Sequence, residues 1–233
     1  MLHQLIAVVA PKTIDNRTLT QAVAAIQKQV DRDVFPLWQV RTSISVFTDP
    51  KDVPVGYWPV TLVEQTTGDL GFHQDEHGQP SSIVELRGDW TVTLSHECIE
   101  MLVDPYGNRM VPGDSPVTAQ GRVNFLVEVC DPCQGCSYTV NGIKVSDFYT
   151  PNYFDPVRVQ GTRYSYTGSI QAPREVLKGG YLSWMTPATG DWWQRVNQTG
   201  VTEDKAVTSR KGKGMSNRQF IDTYVQDHHR RNR

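Results

Sequence analysis

Between Thr91 and Asp104 the chain reads TVTLSHECIEMLVD and runs straight into Pro105. This segment restricts the fold more than any other. Its apolar residues recur on helical spacing, and the proline stops the helix because its ring disfavours the helical conformation in the residue before it. At roughly 100° per residue, with His96 at zero, Glu100 falls near ~40°, Thr93 near ~60°, Asp104 near ~80° and Glu97 near ~100°. Val92, Leu94, Ser95, Cys98, Ile99, Met101, Leu102 and Val103 fill the rest of the circumference. A helix that is apolar over most of its surface is a buried one, so the remainder of the chain has to surround it. That surrounding must also answer three carboxylates on adjacent turns, each costing several kcal/mol to bury unpaired. Asp104 adds to the problem, since the helix dipole disfavours an anion at the C-terminus. Arg87, Arg109 or Arg122 could supply the positive charge. A divalent cation does it better, because an i, i+4 pair such as His96 and Glu100 lies about 6 Å apart on one face and can reach a single ion.

The residues before this helix predict a sheet. Leu5–Ala10 is a continuous apolar run, as in a buried strand. Thr18 can cap a helix reaching about Val30, with Leu19, Val23, Ile26 and Val30 on one face. Alternation from Trp38 to Phe47 predicts a second strand, ahead of a turn-rich loop at Asp49-Pro50 and Val53-Pro54. Val60–Glu64 predicts a third strand and Gly68–Gln74 a polar edge strand. His77-Gly78-Gln79-Pro80 reads as a turn, and Ser82–Leu86 as a further strand. The expected fold class is therefore α+β, a mixed β-sheet with an active-site helix. The expected division is an α/β half over residues 1–104 ending in that helix, a loop-rich subdomain over 105–204 and a basic tail over 205–233. In the middle portion Val123–Val129, Ser137–Val140 and Ile143–Val145 are short strands. The tail holds eight Lys and Arg against two Asp. Its residues Asn217–Gln226 could form a short helix carrying Phe220, Ile221 and Tyr224. A solvated tail is the plain expectation, and docking onto an acidic partner or an assembly is the functional one.

The His96-Glu97-x-x-Glu100 spacing differs by one residue type from the His-Glu-x-x-His of zinc peptidases. There the outer residues hold zinc and the inner Glu takes a proton from water activated by the metal. By that logic His96 and Glu100 are metal ligands and Glu97 is the general base. An oxygen ligand in place of the second histidine suits zinc but weakens its preference over other ions. A tetrahedral site needs a third protein ligand. Glu128, opposite in direction to Val127 and Val129 on a strand, and Asp131, at the start of a turn with Pro132, are the first candidates. Asp104 and His73 are others, although His73 reads more readily as a surface or substrate-facing residue.

Cys130, Cys133 and Cys136 form C-x2-C-x2-C, and Cys98 lies on the helix. Together they could bind zinc or an iron–sulfur cluster. Buried thiols or one local disulfide are the expected state instead. Cys98, near ~200° on the wheel, faces away from His96 in any case.

Leu94-Ser-His-Glu-Cys-Ile-Glu-Met-Leu-Val-Asp-Pro105, followed by Leu126-Val-Glu-Val-Cys-Asp-Pro132 and Val145-Ser-Asp-Phe-Tyr-Thr-Pro151, resembles a group of bacterial and phage proteins. That group pairs an SHExxExxxDP helix with a downstream E-x-x-D motif. The resemblance runs from about residue 5 to about residue 195 and includes Gly179–Trp184. The group is similar to zincin metallopeptidases, and the strand order before the helix is similar to the metzincin half. The resemblance implies a zincin-like fold, metal ligation by His96 and Glu100, and Glu97 as base. It also implies that an edge strand near Leu70, Gly71 and His73 aligns a peptide substrate by strand addition. The chain departs from zincins in lacking the second and third histidines. Met185, before Pro187, is the nearest counterpart of the metzincin methionine turn.

The function expected first is a metal-dependent hydrolase, a zinc peptidase acting on a peptide or protein. Tyr149, Tyr153 or Arg158 could stabilise an oxyanion, although the aromatics of this segment read first as packing residues. The alternatives are a non-catalytic structural or binding protein, for example a virion component, on a degenerate zincin scaffold, and a purely structural metal site closed by Glu128 and Asp131. A net charge of −2 gives no sign of nucleic-acid binding. No apolar run reaches the ~18 residues of a membrane span, and the N-terminus lacks the positive region of a signal peptide. A cytoplasmic or virion-associated protein is expected.

Overall fold

A computed structural model gives the fold and describes residues 3–66, 70–76, 78–209 and 211–231. The expected start of the edge strand at Gly68, His77 of the expected turn, and the last two residues of the HHRRNR terminus lie outside the described residues. In chain order the strands are β1 (His3–Val9), β2 (Arg41–Phe47), β3 (Tyr57–Val63), β4 (Gly71–Glu76), β5 (Gln79–Glu85), β6 (Met110–Asp114), β7 (Arg122–Leu126), β8 (Ser137–Val140), β9 (Ile143–Ser146), β10 (Tyr181–Met185), β11 (Trp192–Val196) and β12 (Glu203–Ala206). The helices are α1 (Asn16–Gln29), α2 (Phe35–Trp38), α3 (Trp90–Val103) and α4 (Asn217–Arg231). The fold is mixed α+β. The chain divides into two compact units, residues 1–106 with 137–146, and residues 107–136 with 147–233.

The first unit is built on a five-stranded sheet in the order β2-β1-β3-β5-β4. β1 runs parallel to β2 and β3, and β3 parallel to β5. β4 alone is antiparallel, paired with β5 at the sheet's edge. β1 lies between β2 and β3, and the consecutive residues Ile6, Ala7 and Val8 are fully buried, so both faces of the strand are covered and its apolar run is unbroken. Asp15 caps α1, its carboxylate accepting from the Thr18 N–H at 2.9 Å. Beyond Gln29 the helical path continues through a π turn over Val30–Val34 into α2. Pro36 therefore sits in the first turn of a new helical segment, where its missing N–H is tolerated. The chain leaves α2 at Gln39 in the left-handed region (φ 58°), so β2 starts at Arg41 and not at Trp38.

α3 is buried from Leu94 to Val103. Leu94, Cys98, Met101 and Leu102 join Ile6, Val8, Leu19, Val23, Ile26, Val60, Leu62 and Val84 in one core. The hairpin β8–β9 belongs to this unit. Sequence order alone groups it with residues 105–204, but Val140 and Val145 enter the same core. Its turn, Asn141-Gly142, has both residues at positive φ (50° and 83°), the conformation that two-residue hairpins favour. A buried polar chain ties it to the helices. The Gln29 side-chain N–H donates to the Ser146 carbonyl (2.8 Å), Ser95 Oγ donates to Gln29 Oε1 (2.8 Å), and the Ser146 N–H donates to Ser95 Oγ (2.9 Å).

The second unit carries an antiparallel five-stranded sheet in the order β12-β11-β10-β7-β6. Its core joins Leu126 and Trp192 to Val207, Phe220, Ile221 and Tyr224. The segment after residue 205 is thus not uniformly solvated, because the apolar face of α4 completes this core. Gly180 passes so close to the Asp131–Pro132 backbone that a Cβ there would lie 2.6 Å from the Asp131 carbonyl oxygen. Among the described residues, no helix is long and apolar enough to cross a membrane.

Candidate metal centre

Two elements of the first unit, α3 and β4, bring the chemistry together. On α3, one helical turn places His96 Nε2 3.2 Å from Glu100 Oε2. Glu97 shares that polar arc. From β4, His73 enters with Nδ1 3.6 Å from Glu97 Oε2 and 3.9 Å from Glu100 Oε2. Those distances exceed a hydrogen bond. Burial is nearly complete, at 1% exposure for His73, 3% for Glu97, 0% for Glu100 and 8% for His96. Neither ring nitrogen of His73 has a hydrogen-bond partner, and nor has Glu97 Oε2.

Sequence spacing accounts for the position of β4 against α3. Residues i and i+2 of a strand share a face, so Gly71 and His73 point the same way. A Cβ on Gly71 would lie 2.6 Å from Thr93 Cγ2 and 2.9 Å from Glu97 Oε1. The glycine lets the strand lie directly on the helix, and His73 then reaches the two carboxylates. Leu70 is 42% exposed, and its carbonyl accepts the Glu85 N–H at 2.7 Å.

His73, Glu97 and Glu100 each offer one ligand atom, and the three atoms lie within 4.8 Å of one another. An imidazole nitrogen and two carboxylate oxygens, two of these residues with unpartnered buried atoms, form a donor set that can hold a divalent ion. Asp104 is not one of the three. Asp104 is buried, and α3 unwinds at it (φ −132°, ψ 74°). Cys98 points into the core and is fully buried. Burial pushes its thiol pKa far up, and the neighbouring Glu97 charge pushes the same way.

Of the arginines that could neutralise the helix, Arg87 pairs with Glu85 (3.4 Å) and Arg122 with Asp114 (3.7 Å). Glu128 and Asp131 belong to the second unit, and their partner there is Arg218 of α4. Its guanidinium ion-pairs with Glu128, lies 3.0 Å from Asp131 Oδ2, and through Nε lies 2.9 Å from Asp222. Arg218 itself is 3% exposed. Sequence reading counts it with the basic tail, and the signal that could have singled it out is the need of two buried carboxylates for a cation.

Tyr153 is buried, donates to the Glu175 carbonyl (3.0 Å) and stacks on Tyr149 with ring centroids 4.3 Å apart. Burial raises its hydroxyl pKa well above the ordinary tyrosine value. Arg158 lines an open concavity of about 710 Å³ with Arg163, Thr167 and Gln171. All four cysteines are thiols.

No family model matches this sequence. No curated protein and no solved structure is detectably similar to the chain either.

Proposed function

We propose that the protein is a metal-dependent hydrolase acting on peptides or proteins, with its centre on α3. The observation that carries this reading is the buried pair His96–Glu100 at 3.2 Å beside a Glu97 whose Oε2 has no hydrogen-bond partner. His96 and Glu100 would hold the ion, with zinc the first candidate. Bound there, a divalent ion supplies Lewis acidity, polarising a carbonyl and acidifying water. Glu97 Oε2 is the atom that takes the proton, and a buried carboxylate without a donor is a competent acceptor. β4, the antiparallel edge strand, would align an extended substrate at Leu70, Gly71 and His73 by strand addition. The one-residue difference of His96-Glu97-x-x-Glu100 from the His-Glu-x-x-His of zinc peptidases supports the same assignment of roles.

A second reading has its own supporting observation. With His73, Glu97 and Glu100 at most 3% exposed, the centre also suits a closed structural ion site in a non-catalytic protein, such as a virion component. One comparison separates the two. Metal content is measured by elemental mass spectrometry on untagged protein and on His96→Ala and Glu100→Ala, followed by a peptidase screen with Glu97→Gln as control. The hydrolase reading expects bound metal lost in both ligand variants, and turnover that Glu97→Gln abolishes while metal stays bound. Metal without turnover leaves the structural site. Protein that binds no divalent ion ends both.

A further inference from the structure

We propose that the first unit has a second divalent-cation position, formed by His73 of β4 with Glu97 and Glu100 of α3, beside the His96–Glu100 pair. Glu100 is common to both positions, and to that extent the proposal rests on the reading above.

The first argument is the cost of leaving these groups as they stand. A buried polar atom without a hydrogen bond costs about 1–3 kcal/mol. His73, 1% exposed, has two such nitrogens, and Glu97 Oε2 is a third unpartnered atom. The second argument is spacing. Nδ1 of His73 stands 3.6 Å and 3.9 Å from the two carboxylate oxygens, too far for hydrogen bonds. Atoms each bonded at about 2.0–2.2 Å to one ion are separated from one another by distances of this order. The third is charge and donor type. Two carboxylates offset the charge of one divalent ion, and with an imidazole nitrogen as the third donor the set suits zinc, manganese or iron. The fourth is construction: Gly71, whose Cβ would collide with Thr93 and Glu97, is what lets β4 present His73 at this depth.

Occupancy here has a consequence for the proposed reaction. Glu97 Oε2 would become a ligand and could no longer take a proton. Both measured approaches to Glu100 are to Oε2, so both positions fill at once only with that oxygen bridging the ions or with Oε1 taking one of them, at the spacing of about 3.5–4 Å usual for two-metal sites. The second position is then inhibitory, and the enzyme is silenced by excess divalent metal.

The test is a titration of the full chain with Zn²⁺ by equilibrium dialysis, counting bound metal and following the fold by near-UV circular dichroism. Wild type is expected to take up a second equivalent at higher free zinc. His73→Ala and Glu97→Gln should each lose that equivalent and keep the first. His96→Ala should lose the first and keep the second, and Glu100→Ala should lose both. A single equivalent indifferent to His73→Ala and to Glu97→Gln overturns the proposal while the function proposed above stands. A single equivalent lost in His73→Ala but kept in His96→Ala upholds this position and overturns that function's ligand set. No uptake overturns both. Should His73→Ala fail to fold, the near-isosteric Glu97→Gln decides alone.

Discussion

At the scale of single residues, the chain shows two ways of handling buried carboxylates. Glu128 and Asp131 are answered by a side chain, Arg218, while Glu97 and Glu100 face an imidazole whose nitrogens have no hydrogen bonds. Removing one partner of a buried ion pair leaves the other charge uncompensated, at a cost of about 3–5 kcal/mol. Arg218→Met is therefore expected to destabilise the protein by about that amount, read from urea unfolding. Adding Glu128→Gln and Asp131→Asn to the same chain should recover much of the loss, because the orphaned charges go with the arginine. If Arg218→Met unfolds at the wild-type midpoint, the ion pairs are not what holds α4 in place. Ser95 makes the same point for neutral groups. It accepts the Ser146 N–H and donates to Gln29, so Ser95→Ala strands two buried polar groups. A loss of about 1–3 kcal/mol per stranded group is the upper expectation, checked by thermal melts against Ser95→Cys.

At the scale of elements, the caps and edges explain more than propensity does. The Asp15 carboxylate is held below its ordinary pKa, first by the Thr18 N–H and then by the Thr18 hydroxyl. A depressed carboxylate pKa means that folding is favoured when the group is charged. The contribution is present above the ordinary carboxylate pKa and is lost as pH falls through the lowered folded value. Asp15→Ala should thus lower the melting temperature at neutral pH, with the gap to wild type closing as the pH drops below the carboxylate range. Equal gaps at both ends would show that the cap acts without its charge. β4 illustrates the edge. Its antiparallel pairing with β5 leaves it last in the sheet order, and the Gly71–His73 pair turns that edge toward α3. A polar hexapeptide at a sheet edge is ordinary, and it becomes informative only because of what its inward face touches.

At the scale of the whole molecule, each unit has its own sheet and its own core, and the chain passes between them more than once. The group His73, Glu97 and Glu100 lies wholly in the first unit. An ion bound to the folded state alone raises stability by mass action, by about 2.7 kcal/mol at a hundredfold excess over its dissociation constant. Differential scanning fluorimetry with added Zn²⁺ or Mn²⁺ is therefore expected to show an upward shift that Glu100→Ala removes. A shift that survives Glu100→Ala would place metal binding at a site that does not need Glu100. Where the charge of the C-terminal segment goes is likewise visible only at this scale. Part of it is consumed internally by Arg218, and its apolar residues close the second core.

By itself the sequence determined what periodicity and local sterics govern. The buried strand at Leu5–Ala10, α1, the His96–Glu100 helix with its stop at Pro105, and the hairpin strands all follow from patterns a few residues long. The i, i+4 pairing of His96 with Glu100 is of that kind, because helix geometry alone fixes it. The path through Val30–Trp38 was not legible, since Pro36 can end a helix or begin one and only the packing around it decides. His73 needed the tertiary structure as well. It lies 24 residues before Glu97 and 27 before Glu100, and its place beside Glu97 depends on β4 pairing antiparallel to β5 and on Gly71 bringing the strand close. Arg218, nearly ninety positions from Asp131 (|i−j| = 87), belongs to the same class. Local pattern sets which residues share a face, while long-range pairing sets which faces meet, and the charges of this chain are answered at those meetings.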